Sequence, residues 1–178
     1  TASPAKSSSR RKGEPAAGGD RQGLLIGFDR VMRFSDYLFA EWRPALGCTE
    51  PASIAYAASS AAGTASGPVE EVRLRCDPRI YKNCYAVGIP YSGHKVGIRW
   101  ALAIGSLLPD PSTGLECFKQ ISPSILDQAG ELIARGKVSV EVDRTQRRLL
   151  VDCRLVRGGV AGRAVIEGDH TRLVRLER

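Results

Sequence analysis

The chain has 178 residues, 43% of them hydrophobic and 25% charged, an ordinary globular composition with enough apolar material for one buried core. No run reaches the roughly 18 continuous apolar residues of a membrane span, because Arg99 and Asp110 bracket the best candidate, WALAIGSLLP. The net charge of +7 and pI near 9.4 would suit nucleic acid, but part of the excess sits in an N-terminal segment with no aromatic residue to stack on bases, which argues against that partner.

Residues 1–23 carry almost no large apolar side chain to offset the entropy of ordering them, so a disordered tail is expected. They hold no apolar stretch of a secretory signal either, which points to the cytoplasm. From Phe28 to Trp42, the residues Val31, Met32, Phe34, Tyr37, Leu38 and Trp42 recur at spacings of three and four, predicting an amphipathic helix that stops at Pro44. After the turn PALGCTEP, the run SIAYAASSAAG predicts a second helix, so poor in charge that it must be packed among neighbours.

VEEVRLRCD alternates apolar and charged residues, as a strand with one buried face does. A loop is expected through PRIYKNCYAVGIPYSGHKVG, where Gly88, Pro90, Gly93 and Gly97 would let backbone approach a ligand closely. IRWALAIGSLL reads as a buried helix, followed by a Pro-Gly-Ser loop and a helix around SILDQAGELIARG. The last forty residues become four strand-like runs separated by turn residues, predicting an antiparallel meander. The expected fold is therefore α+β, with helices packed on a mainly antiparallel sheet and a basic tail in front.

Five cysteines, Cys48, Cys76, Cys84, Cys117 and Cys153, are widely spread, and none forms a Cys-x-x-Cys pair, so free thiols are expected rather than a zinc ribbon. Cys76 and Cys153 fall in strands, where a buried thiol acts as a small hydrophobe. Cys48 differs. It precedes a helix whose first turn holds Thr49, Glu50 and Pro51, so the positive end of the helix dipole should favour its thiolate and lower its pKa. Downstream, Tyr81, Lys82 and Asn83 adjoin the loop bearing Ser92 and His94, groups suited to a carboxylate or an amino group. His170 lies at a turn between strands, where a structural role is the simpler reading.

In order, GCTEPASIAYAA, IYKN, VGIP, a helix ending in GSLL, then GLE and IEGDHTRLV resemble the L-cysteine desulfidase branch of the iron-sulfur serine dehydratase alpha-chain family. The resemblance runs from about Phe34 to Arg178 and identifies residues 24–178 with the N-terminal part of such a domain. It implies a four-iron four-sulfur lyase that converts L-cysteine to pyruvate, ammonia and sulfide without pyridoxal phosphate, with Cys48 as the proton acceptor. An L-serine dehydratase-type deaminase, or an inactive module that binds a small amino acid, is the alternative.

Residue chemistry adds Glu50 to orient or relay the proton, with Thr49, Lys82, Asn83 and Ser92 to hold the substrate. The family's cluster ligands lie mainly in a C-terminal half, and none of the other four cysteines has the spacing to replace them. A C-terminal half or partner subunit is therefore expected, no metal ligand is assigned here, and a homodimer is allowed. This chain also departs from the family pattern: DPRIYKNC and VGIPYSG place Asp77, Pro78, Cys84 and Tyr91 where glycine or serine is usual.

Overall fold

The computed structural model describes residues 33–42 and 45–178. The expected tail at 1–23, and Val31, Met32 and Pro44 of the first predicted helix, lie outside the described residues. Two units are distinguished, with the boundary between Glu41 and Trp42. In the first, helix α1 spans Phe34–Glu41, inside the run from Phe28 to Trp42 read from periodicity, of which residues 28–32 are not described.

The second unit begins its regular structure with helix α2, Thr49–Ala62. Alanine and serine on every side let this helix be buried from Pro51 to Ala55 and again from Ala57 to Ala62. It packs against helix α4 (Ile98–Leu107), and the approach is close enough to require glycine. A Cβ on Gly105 would overlap Ala55 Cα and lie 2.7 Å from the Ala55 carbonyl oxygen. Ser59 Oγ, also buried, donates to Leu108 O at 3.3 Å and fastens α2 to the end of α4.

Strand β1 (Val69–Cys76) follows α2, with Val72, Leu74 and Cys76 buried against the helices and Arg73 and Arg75 exposed on the other face. The segment read as a loop after it begins as a helix, α3, spanning Pro78–Cys84. The reason lies in the two residues that seemed out of place. Asp77 accepts hydrogen bonds from the backbone N–H groups of Arg79 and Ile80, and Pro78 takes an early position where its missing N–H costs nothing.

Residues 85–97 then form a tight loop held by the Gly88–Val96 bridge and by Ile89 N donating to Lys95 O at 2.9 Å. Gly97, with φ +92°, is glycine because a Cβ there would meet Tyr85 O at 2.7 Å. It is the chain's own backbone that comes close at that position. Beyond α4, the expected Pro-Gly-Ser loop is instead a 3-10 helix, Pro111–Gln120, kinked at Gly114 and anchored by buried Phe118. Helix α5 spans Pro123–Ala134 and packs on α4.

The remaining strands are β2 (Val138–Val142), β3 (Leu150–Arg157), β4 (Val160–Glu167) and β5 (Leu173–Glu177). Their order in the sheet is β2-β1-β3-β4-β5. The fold class is α+β with a mostly antiparallel sheet. The meander is confined to β3, β4 and β5, because β1 lies between β2 and β3 and pairs with β2 in parallel. Parallel neighbours need a long crossover, which α3, α4, the 3-10 helix and α5 supply. One sheet face buries Val72, Leu74, Val151, Cys153, Leu155, Ala164 and Ile166 with the helices. On the other face Asp152 is buried under Arg163, which holds it through two hydrogen bonds of 2.9 and 2.8 Å.

Candidate functional site

The start of α2 gathers the groups singled out in the sequence. Cys48 is the N-cap residue, in extended conformation, and Glu50 sits in the first turn. Cys48 Sγ donates to Glu50 Oε2 at 2.8 Å, and Thr49 Oγ1 donates more weakly to the same oxygen at 3.4 Å. From α3, Asn83 Nδ2 donates to Glu50 Oε1 at 2.9 Å. His170, in the turn between β4 and β5, brings Nε2 to 4.0 Å from that oxygen. Three distant parts of the chain therefore meet at one carboxylate.

The electrostatics correct one expectation. The Cys48 thiol is pushed up from its ordinary value, chiefly by burial and then by its hydrogen bond to Glu50, although the Glu50 backbone N–H acts in the opposite direction. An anion 2.8 Å away favours the protonated sulfur and outweighs the helix terminus. Burial raises the Glu50 carboxyl, but hydrogen bonds from Cys48 and Asn83 overcome it and hold the group below the usual carboxylate range. At rest the array is a thiol beside a carboxylate.

Glu50 and Asn83 open into a cleft of about 590 Å³ that is also lined by Asp77, Arg79, Arg147, Arg148 and His170. Lys82 is exposed on α3 and does not line this cleft. Ser92 is buried at 1% exposure, and its hydroxyl staples the loop by donating to Ile89 O at 2.7 Å while accepting from Lys95 N at 3.1 Å. Tyr91 and His94 adopt left-handed φ of 60° and 69°, a conformation glycine takes freely.

The three cleft arginines and His170 were missed as site residues. Arg147 and Arg148 belong to the basic turn DRTQRR, a signal visible in the sequence, but nothing in the spacing tied that turn to Glu50. A second concavity, of about 440 Å³, lies on the outer sheet face among Arg73, Arg154, Arg163 and Glu177 and contains no thiol or histidine.

The other four cysteines are buried; burial pushes Cys76, Cys84 and Cys117 up to about 12 and Cys153 further still. Among the described residues no group of three or more His, Cys, Asp or Glu side chains could hold a metal ion. These residues do not fit a four-iron four-sulfur cluster.

The chain is 39% identical over 144 residues to a UPF0597 protein of Geobacter sulfurreducens, covering 81% of this chain and 34% of that protein. It is 35% identical over 146 residues to a UPF0597 protein of Oleidesulfovibrio alaskensis, covering 82% and 34%. UPF0597 protein YhaM of Shigella sonnei is 40% identical over 138 residues, covering 77% and 31%. Its homologues are UPF0597 proteins. The chain spans about a third of the length of these curated relatives, and the UPF0597 name states no reaction. No family model matches the chain, and no solved structure matches it. Among the described residues no helix is long and apolar enough to cross a membrane.

Proposed function

We propose that this chain supplies the proton-transfer part of a lyase of the L-cysteine desulfidase type, which converts L-cysteine and water to pyruvate, ammonia and hydrogen sulfide. The observation that carries this reading is the hydrogen-bonded array of Cys48, Glu50 and Asn83 at the edge of a polar cleft. The order of GCTEP, IYKN and VGIP supports it. On this reading a C-terminal half or partner subunit holds the iron-sulfur cluster, and the residues described here bind substrate and move protons.

Elimination needs a base for the α-proton and an acid for the departing sulfur. A thiol and a carboxylate sharing a proton can provide both. Transfer of the thiol proton to Glu50 creates the Cys48 thiolate, which takes the α-proton as the β-carbon–sulfur bond breaks. Glu50 then returns its proton to the leaving hydrosulfide, so both groups end as they began. The aminoacrylate left behind tautomerises to an imine, and water hydrolyses it to pyruvate and ammonia. Asn83 orients Glu50, and Thr49 donates to the oxygen that also faces Cys48.

Anaerobic assay of sulfide and pyruvate release from L-cysteine tests the reading, with the chain joined to a cluster-bearing C-terminal half and the assembly reconstituted with iron and sulfide. Cys48→Ser and Glu50→Gln should each reduce turnover by roughly a hundredfold or more. Full activity in Cys48→Ser would overturn the proton-acceptor role. A folded wild-type chain that, joined to that half with its cluster in place, binds L-cysteine without turning it over would favour an inactive amino-acid-binding module, a reading to which the resting proton on Cys48 lends weight.

A further inference from the structure

The cleft beside Glu50 has that carboxylate on one side and, on the other, three arginines beside the buried Asp77. Glu50 carries the negative charge on the α2 side, while Arg79, Arg147 and Arg148 face the same space from α3 and the turn between β2 and β3. The arginine side is a built edge. Arg79 Nη2 donates to Arg147 O at 3.0 Å, and Arg79 Nε reaches buried Asp77 at 3.3 Å, so the turn is tied to α3. Gln146 Oε1 accepts from the N–H groups of Arg147 and Arg148 at 3.0 and 3.3 Å. Among the described residues neither the Arg147 nor the Arg148 guanidinium forms an ion pair, while Arg73, Arg75, Arg154, Arg163 and Arg175 on the outer sheet face all do. Two unpaired guanidinium groups across a cleft from a carboxylate complement a zwitterion: planar forks for a carboxylate, an anion for an ammonium group.

We propose that Arg147 and Arg148 anchor the carboxylate of an α-amino acid whose ammonium group faces Glu50. This deepens the reading given under Proposed function and rests on it for the identity of the amino acid. It moves the carboxylate contact from Lys82 to the β2–β3 turn. The ammonium group and the Cys48 proton then share one carboxylate, that of Glu50.

Calorimetric titration of the 178-residue chain with L-serine, ethanolamine and glycolate tests the anchor without requiring turnover. L-serine carries both charged groups, ethanolamine lacks the carboxylate and glycolate lacks the amine. L-serine should bind more tightly than either fragment. Binding of L-serine should weaken at least tenfold in R147Q/R148Q and recover in part in R147K/R148K, which keeps the charge without the fork. Glu50→Gln should weaken L-serine and leave glycolate unchanged.

Unaltered L-serine affinity in R147Q/R148Q, with an unchanged circular dichroism spectrum, would overturn the anchor; should that pair of changes unfold the chain, R148Q alone decides. Equal affinity for L-serine and ethanolamine overturns it, as does a wild-type chain that binds neither L-serine nor L-cysteine. The two readings fail separately. With the cluster-bearing half present, arginine-dependent binding without sulfide release leaves the anchor standing and removes the lyase; Cys48-dependent sulfide release unaffected by R147Q/R148Q does the reverse.

Discussion

At the scale of single residues, the chemistry of the site turns on the 2.8 Å hydrogen bond from Cys48 to Glu50. Glu50 is one of the causes that raise the thiol, so Glu50→Gln should bring the Cys48 titration down toward the ordinary thiol value. Cys48 is also the one described cysteine that is not fully buried, so alkylation by iodoacetamide should report it selectively. Near pH 8 the variant should react faster than wild type; an equal or slower rate would show that burial alone sets the thiol. Ser53 permits a test of a different kind. Its buried hydroxyl has no hydrogen-bond partner among the described residues, so Ser53→Ala should be neutral or stabilise the fold by up to about 1 kcal/mol, read from chemical denaturation. The sequence located Cys48 by its place before α2 but misjudged its charge. Helix position is a property of neighbouring residues, whereas the direction in which Glu50 points depends on Asn83 and His170, far along the chain.

Among the elements, α3 matters most to the site because it carries Asn83. Asp77 supports it from below: its side chain is fully buried, and besides capping α3 it accepts from Leu150 N at 2.9 Å. Asp77→Ala would remove the cap and leave a buried strand N–H unpaired, a loss of about 2–4 kcal/mol detectable as a lower melting temperature. The same change should weaken amino-acid binding, since the Asn83 contact to Glu50 depends on α3 remaining helical. Gly105 tests the α2–α4 contact. Gly105→Ala should destabilise by roughly 1–3 kcal/mol despite alanine's higher helix propensity, because the added methyl has only Ala55 backbone to meet. Unchanged or raised stability would mean that the helices can move apart. Alternation and apolar periodicity made α2, β1, α4 and α5 legible in the sequence. α3 was not, because the rules for glycine and serine near IYKN drew attention to what Asp77 and Pro78 replace rather than to the helix start they form.

For the molecule as a whole, the α+β class followed from the succession of patterns, but the position of β1 did not. Four strand-like runs at the C-terminus invite a meander, and only the placement of an earlier strand between β2 and β3 corrects it. Local patterning carries no information about that insertion. The consequences extend to acid stability. Burial raises Asp152, yet Arg163 and Arg154 hold it below the usual carboxylate range, and Glu50 is lowered as well. Carboxyls lowered in the folded state stabilise it above their unfolded values, about 4, and that contribution is lost as pH falls through the folded ones. Melting temperature should therefore drop below about pH 4 in wild type, and Asp152→Asn should be less stable at neutral pH with a shallower acid decline. A parallel decline in both would remove Asp152 from the acid response.

The central position of β1 also sets an order of events in time. Val72 finds one partner at Val138 and the other at Leu155, so β1 has both edges open until residues well beyond it in the sequence have been made. The turn that brings His170 to Glu50 comes later still. The Cys48–Glu50 pair, two residues apart, can form as soon as α2 does, whereas the contacts of Glu50 with Asn83 and His170 are made only when α3 and the β4–β5 turn are in place.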